Sequence, residues 1–110
     1  MADLIDRTVF AELQRNAGAD FVAELVDTFC EEAPHMLAEL RTAQAAGSAE
    51  RFRRAAHSLK TNAHTFGAMA LGAKARELEL GGLPGNAGAL DALDAAYVEA
   101  AAALKELAHG

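Results

Sequence analysis

Tryptophan is absent from this 110-residue sequence, and the other aromatic residues make up only 5% of it. Cysteine occurs once, at Cys30, which excludes an internal disulfide and is typical of proteins from a reducing compartment. No apolar run reaches the roughly 18 residues of a membrane-spanning helix, and no basic start leads into an apolar stretch with a cleavage site. We therefore expect a cytoplasmic protein that does not enter the membrane.

Alanine, leucine and glutamate dominate the composition, and proline occurs only twice. These residues favour packed helices over sheets. A chain of 110 residues is long enough to bury one core and too short for a second domain. We predict a single all-α domain over residues 1–110, an antiparallel four-helix bundle with a short additional helix at the N-terminus.

Capping residues and glycines divide the chain into five predicted helices. Asp6 precedes a short amphipathic segment that ends near Gly18, and Asp20 is expected to cap a long second helix. Gly47 ends the second helix and Ser48 caps the third. The predicted limits of the last four helices are about 20–46, 49–66, 70–80 and 89–108.

The second helix contains Pro34, which removes the helical hydrogen bond to the carbonyl of Cys30 and is expected to bend the helix. The apolar periodicity continues beyond it, so we predict one bent helix in preference to two. Its apolar residues are expected to pack in the core, with partial exposure for docking as the alternative. They are Phe21, Leu25, Phe29, Met36, Leu37 and Leu40, with Val22, Val26 and Cys30 beside them.

The third helix separates an apolar face from a polar, cationic one at about 100° per residue. The face expected in the core contains Phe52, Ala55, Ala56, Leu59, Ala63 and Phe66. The opposite face carries His57, Thr61 and His64, flanked by Arg53, Arg54 and Lys60.

An exposed imidazole on such a face is a nitrogen nucleophile near neutral pH, because its ordinary pKa is about 6.5. Lys60 follows His57 by three residues and shares its face. Its ammonium is expected to hold phosphoryl oxygens and, as a like charge, to disfavour the imidazolium form. Phosphoryl transfer needs mainly positioning and charge neutralisation, so few residues suffice.

The stretch AHSLKTNAHTFGA resembles the signature of the histidine-containing phosphotransfer (HPt) domain family, roughly A-H-x-L-K-G-x-x-x-x-x-G. It matches at Ala56, His57, Leu59, Lys60 and Gly67. The similarity covers about residues 21–80, since the flanking helices also resemble those of the family. Thr61 stands where the family usually has a glycine that lets the partner's active site approach the histidine.

The resemblance implies a phosphoryl carrier. His57 would accept a phosphoryl group from the aspartyl phosphate of a receiver domain and pass it to another receiver, and Lys60 would stabilise its charge. Arg53, Arg54, Thr61 and His64 would border the docking surface. Response-regulator receivers or a hybrid histidine kinase would be the partners of a monomeric chain, and Mg²⁺ would be supplied by the receiver. The chain itself would bind no cofactor or metal and, lacking an ATP site, would not be an enzyme.

The charge is unevenly distributed around His57. Six basic residues and no acidic one lie between Arg51 and Arg76, whereas the rest of the chain has four basic and sixteen acidic residues. A partner with an acidic pocket is expected, because complementary charge steers and orients association. A solvated helix face is the alternative. Nucleic acid is disfavoured because the basic patch carries no interleaved aromatic residues on its own face and belongs to an acidic domain.

Other functions fit the sequence less well. A metal site at His57 and His64 lacks the three or four ligands that zinc requires, and the glycine-rich segment 81–88 lacks a phosphate-binding motif. Glu79 would approach His57 if the fourth helix lay against the third, and we interpret it as a solvated carboxylate or an ion-pair partner. The main alternative is an HPt-like interaction module that docks receiver or kinase domains without transferring phosphate, for which Thr61 is the supporting feature.

Overall fold

A computed structural model describes residues 4–110, which form five α-helices and, within that range, no strand. The helices are α1 (Arg7–Ala17), α2 (Ala19–Ala46), α3 (Ala49–Thr65), α4 (Met69–Gly81) and α5 (Gly88–His109). The predicted all-α class is therefore confirmed. No helix among these residues is long and apolar enough to cross a membrane.

Most of the predicted helix ends lie within two residues of those observed, because the capping chemistry is local. The Asp6 carboxylate accepts hydrogen bonds from the backbone N–H groups of Thr8 and Val9 at 3.0 and 3.2 Å. Ser48 accepts one from the N–H of Arg51 at 3.4 Å. Gly47 ends α2 in the left-handed conformation with φ 70°.

The prediction that Asp20 caps α2 is wrong. Gly18 is the N-cap and the helix begins at Ala19, so Asp20 lies inside the first turn. An acidic residue in the first turn is favoured by the positive end of the helix dipole, which accounts for Asp20 at this point without a capping hydrogen bond.

The core follows the predicted face of α3 and a shifted face of α2. All six residues expected on the inward face of the third helix are buried, including Phe66, which is the C-cap residue of α3. On α2, the prediction that Phe21 packs in the core is wrong. The next residue, Val22, is on the buried face of the helix, and neighbouring residues of a helix point about 100° apart. Phe21 is 51% exposed. The buried residues of α2 are Val22, Val26, Phe29, Ala33, Leu40 and Ala43.

Pro34 lies within one continuous α2, so the prediction of one helix in preference to two is confirmed. The carbonyl of Cys30, which Pro34 leaves without its helical donor, accepts a hydrogen bond from the Tyr97 hydroxyl at 3.1 Å. Burial is the main reason why the pKa of Tyr97 rises to about 12. Helix α5 thus supplies the hydrogen bond that α2 cannot make internally.

The chain before α1 is joined to the turn between α3 and α4. The N–H of Asp6 donates to the carbonyl of Gly67 at 2.7 Å. Gly67 has φ 80°, and a Cβ at this position would lie 2.7 Å from the carbonyl oxygen of Asp6. Only glycine combines this backbone conformation with so close an approach. The turn at Gly67 therefore fixes where α3 ends and where α4, which packs against α3, begins.

Candidate functional site

His57 projects from the middle of α3, and 56% of its side chain is exposed. Its Nδ1 atom lies 2.6 Å from Oε2 of Glu79 on α4. The sequence places these two residues far apart, and the packing of α4 against α3 brings them together. The predicted outward presentation of the ring is what the structure shows, with one ring nitrogen held by a carboxylate.

Glu79 also contacts Lys60, whose Nζ lies 2.7 Å from Oε1. This contact is an ion pair. Oε1 is buried and makes no well-aligned hydrogen bond to any residue from 4 to 110. The side chain of Glu79 is only 11% exposed and that of Lys60 is 21% exposed. Glu79 therefore does approach His57, which was expected only if the fourth helix lay against the third. It is also an ion-pair partner of Lys60, and the interpretation as a solvated carboxylate is wrong.

The contacts of Glu79 determine its charge state. Lys60 first, and then the hydrogen bond with His57, lower the pKa of Glu79 from its ordinary value of 4.5, against an opposing effect of burial. The carboxylate is therefore ionised at neutral pH and can only accept hydrogen bonds.

An acceptor at Nδ1 fixes the tautomer of His57. Nδ1 must carry the proton that it donates to Glu79, so in the neutral ring the lone pair lies on Nε2. Nε2 makes no hydrogen bond to any residue from 4 to 110. The geometry thus leaves Nε2 as the open ring nitrogen, while Nδ1 is bonded to Glu79.

Thr61 lies one turn after His57, and its side chain is exposed. Its hydroxyl donates to the carbonyl of His57 at 3.0 Å, a bond back to its own helix. The hydroxyl is thereby engaged with the backbone, while the added bulk relative to glycine remains on the surface beside His57.

The predicted basic surface is partly neutralised by carboxylates from other parts of the chain. Arg51 pairs with Glu39 on α2 at 2.8 Å, and Arg54 pairs with Glu50 at 3.5 Å. Arg53 is exposed on the face of His57 and forms no ion pair within residues 4–110. The count of basic residues in the sequence therefore overstated the positive charge around His57, because it left out Glu39 on α2 and Glu50 in the first turn of α3.

His64 is exposed and lies two turns beyond His57 on the same face of α3. A Cβ built on Gly72 of α4 would overlap the His64 ring, so the ring occupies the space that the missing side chain leaves. His64 borders the site without reaching His57. Within the described part of the chain, no three His, Cys, Asp or Glu side chains gather as metal ligands would.

Comparison with known proteins assigns the family. The model of the Hpt domain matches residues 24–109. This chain belongs to the Hpt domain family. The fold is also similar to the crystal structure of histidine-containing phosphotransfer protein B (HptB) from Pseudomonas aeruginosa PAO1. That similarity has a TM-score of 0.77 and 30% sequence identity, and it covers 98% of this chain and 93% of the other. No curated protein matches the sequence significantly.

The family assignment confirms the resemblance that the stretch around His57 predicted. Hpt domains are phosphocarrier modules of two-component signalling, which interact with receiver domains and histidine kinases and have no ATP site of their own. This Hpt domain carries the histidine and the lysine of the signature on one face, and α4 adds Glu79 behind them.

A signal for Glu79 was present in the sequence but depended on helix packing. Glu79 follows Gly72 by seven residues on α4, and His64 follows His57 by seven on α3. Residues seven apart lie on one helix face. The helices α3 and α4 run in opposite directions, so a contact between His64 and Gly72 brings His57 next to Glu79.

Proposed function

We propose that this Hpt domain relays phosphoryl groups between receiver-domain aspartates through Nε2 of His57. The observation that carries the proposal is the hydrogen bond between Nδ1 of His57 and Glu79, because it leaves Nε2 as the exposed nucleophile. Helices α2–α5 would form the antiparallel four-helix bundle on which the histidine is presented.

The transfer step is an in-line displacement at phosphorus. The lone pair of Nε2 forms a bond to phosphorus while the bond from phosphorus to the aspartate oxygen breaks, and the aspartate leaves as a carboxylate. The imidazole becomes positively charged and keeps its Nδ1 proton in the hydrogen bond to Glu79. The carboxylate of Glu79 would stabilise that charge, as a buried carboxylate does behind a catalytic histidine. Transfer to a second receiver reverses these bond changes.

The receiver would complete the site. Its acidic pocket would hold Mg²⁺, which neutralises charge on the transferring group, and Arg53, Arg54, Thr61 and His64 would border the docking surface. Lys60 would contribute positive charge next to the phosphoryl group, although its ammonium is already paired with Glu79.

The test is a transfer assay with a set of purified receiver domains loaded with labelled phosphate. Label that is stable to alkali and labile to acid should appear on this chain, and His57→Gln should abolish it. His35→Gln is the matched control, because His35 is an exposed histidine on α2. Label that persists in the His57 variant would place phosphorylation on another residue.

A second candidate is an Hpt-like module that docks receivers without accepting phosphate. Thr61 supports it, because an exposed threonine replaces the glycine that permits close approach in the family. The two candidates differ in one result. A receiver that binds the chain tightly and yet transfers no label, with Thr61→Gly restoring transfer, would favour the docking module.

A further inference from the structure

The charge balance at His57 changes sharply on phosphorylation. A phosphoryl group adds between one and two negative charges near neutral pH, and Glu79 already contributes one. The ammonium of Lys60 is the only cation that contacts Glu79 within residues 4–110 apart from the His57 ring itself. Lys60 and the positive charge that the ring itself acquires do not fully balance both anions, so a further cation would stabilise phospho-His57.

Two contacts fix the register of α4 on α3. His57 is hydrogen-bonded to Glu79, and the ring of His64 fills the space beside Gly72 that a side chain would otherwise occupy. Residue numbers therefore fall along α4 as they rise along α3. The same register places Arg76 opposite Lys60, and Lys60 is the residue that reaches the carboxylate of Glu79.

Arg76 lies on the open side of the seam between the two helices. It follows Gly72 by four residues and precedes Glu79 by three, so it shares their face of α4. The opposite side of α4 is buried through Leu71, Ala75 and Leu78, whereas Arg76 is exposed. A long side chain at this point can extend over the seam towards the solvent side of His57, and it forms no ion pair within residues 4–110.

We propose that Arg76 is a second phosphoryl-binding residue, which contacts the phosphoryl group on His57 from α4 while Lys60 remains paired with Glu79. This proposal deepens the proposed function and rests on it. Arginine suits the role because its planar guanidinium donates two parallel hydrogen bonds to phosphoryl oxygens.

The other basic residues near the site are placed differently. Arg51 and Arg54 are paired with Glu39 and Glu50. Lys74 lines a groove of about 280 Å³ between α4 and α5, away from His57. Arg53 precedes His57 by one turn on the exposed face of α3, where an approaching receiver would meet it. We assign Arg53 to partner docking, and the arginine signals of the phosphorylated protein distinguish it from Arg76.

The test uses phosphoramidate, a small donor whose phosphorus–nitrogen bond breaks as ammonia leaves, so no receiver is needed. The rate of His57 phosphorylation is measured for the wild type, Arg76→Gln, Arg76→Lys and the control Lys74→Gln. We expect Arg76→Gln to slow phosphorylation roughly three- to tenfold, Arg76→Lys to restore most of the rate, and Lys74→Gln to match the wild type.

A direct readout of contact accompanies the rates. In ¹⁵N-labelled phosphorylated protein, one arginine Nε–H signal should move downfield, and this signal should be missing in Arg76→Lys but retained in Arg53→Lys. If the wild type accepts no phosphate at His57 from phosphoramidate or any receiver, the proposed function fails. If it does so, and Arg76→Gln reacts at the wild-type rate with no arginine signal shifted, only the assignment of Arg76 is overturned.

Discussion

Glu79 holds Nδ1 of His57 at 2.6 Å from a helix that starts only after α3 has ended. The same carboxylate contacts Lys60 through its other oxygen. One acidic side chain thus links the two residues that the family signature contributes, and it sets which imidazole nitrogen is left open to solvent. Its removal should affect both the chemistry of His57 and the packing of α4 on α3.

Glu79→Gln is expected to slow phosphorylation of His57 by roughly 10- to 100-fold. The amide still accepts the Nδ1 proton, but it cannot stabilise the positive charge that develops on the ring. The rate of transfer from a phosphorylated receiver, measured by rapid quench, checks this. Glu77→Gln is the control, since Glu77 is an exposed carboxylate on the same helix. Equal rates in the two variants would remove Glu79 from the mechanism.

The contribution of Glu79 to stability should depend on pH in one direction. Its pKa in the folded protein lies below 4.5, the ordinary value expected when the chain is unfolded. The stabilisation is therefore fully present above about 4.5 and is lost as the pH falls through the folded-state pKa.

The free energy of unfolding of the wild type and of Glu79→Gln, measured by urea denaturation from pH 7 to pH 3, checks this pH dependence. The two curves should converge below pH 4.5. A difference that grows as the pH falls would contradict the assigned pairing.

The helices and the face that carries His57 were predictable because both depend on local sequence. Caps such as Asp6 and Ser48 act within one turn, and the apolar spacing of α3 determines which side is buried. The contact with Glu79 was not predictable with the same certainty, because it depends on how α4 packs against α3. The neutralised arginines show the same limit, since Arg51 meets a carboxylate from another helix.

Gly67→Ala should destabilise the protein by roughly 1–3 kcal/mol without altering the chemistry of His57. The positive φ is unfavourable for alanine, and the new Cβ would press on the carbonyl oxygen of Asp6. Gly47→Ala is the matched control, because Gly47 also has a positive φ but has open space around it. Thermal unfolding should show a larger loss for Gly67→Ala. Equal losses would mean that the contact with Asp6 adds nothing beyond backbone strain.

Gly72→Ala should displace the ring of His64, because the added methyl group would overlap it. The ring is exposed and can rotate outwards, and alanine is the better helix former by about 1 kcal/mol, so little stability should be lost. If His64 borders the docking surface, the dissociation constant for a receiver should change.

A double-mutant cycle with His64→Ala tests whether the effect passes through that ring. Gly72→Ala should leave receiver affinity unchanged when the imidazole is already absent. An undiminished effect in the His64→Ala background would instead indicate a shift of α4 itself.

The hydroxyl of Tyr97 should stabilise the protein because Pro34 leaves the carbonyl of Cys30 without its helical donor. Tyr97→Phe retains the ring that packs against Phe29 but leaves the carbonyl of Cys30 without a donor, which should cost roughly 1–2 kcal/mol. Pro34→Ala restores a helical N–H for that carbonyl. In that background the cost of Tyr97→Phe should fall by about 1 kcal/mol, measured from urea denaturation of the four proteins. An equal cost in both backgrounds would show that the hydroxyl stabilises the protein by some route other than the carbonyl that proline leaves unpaired.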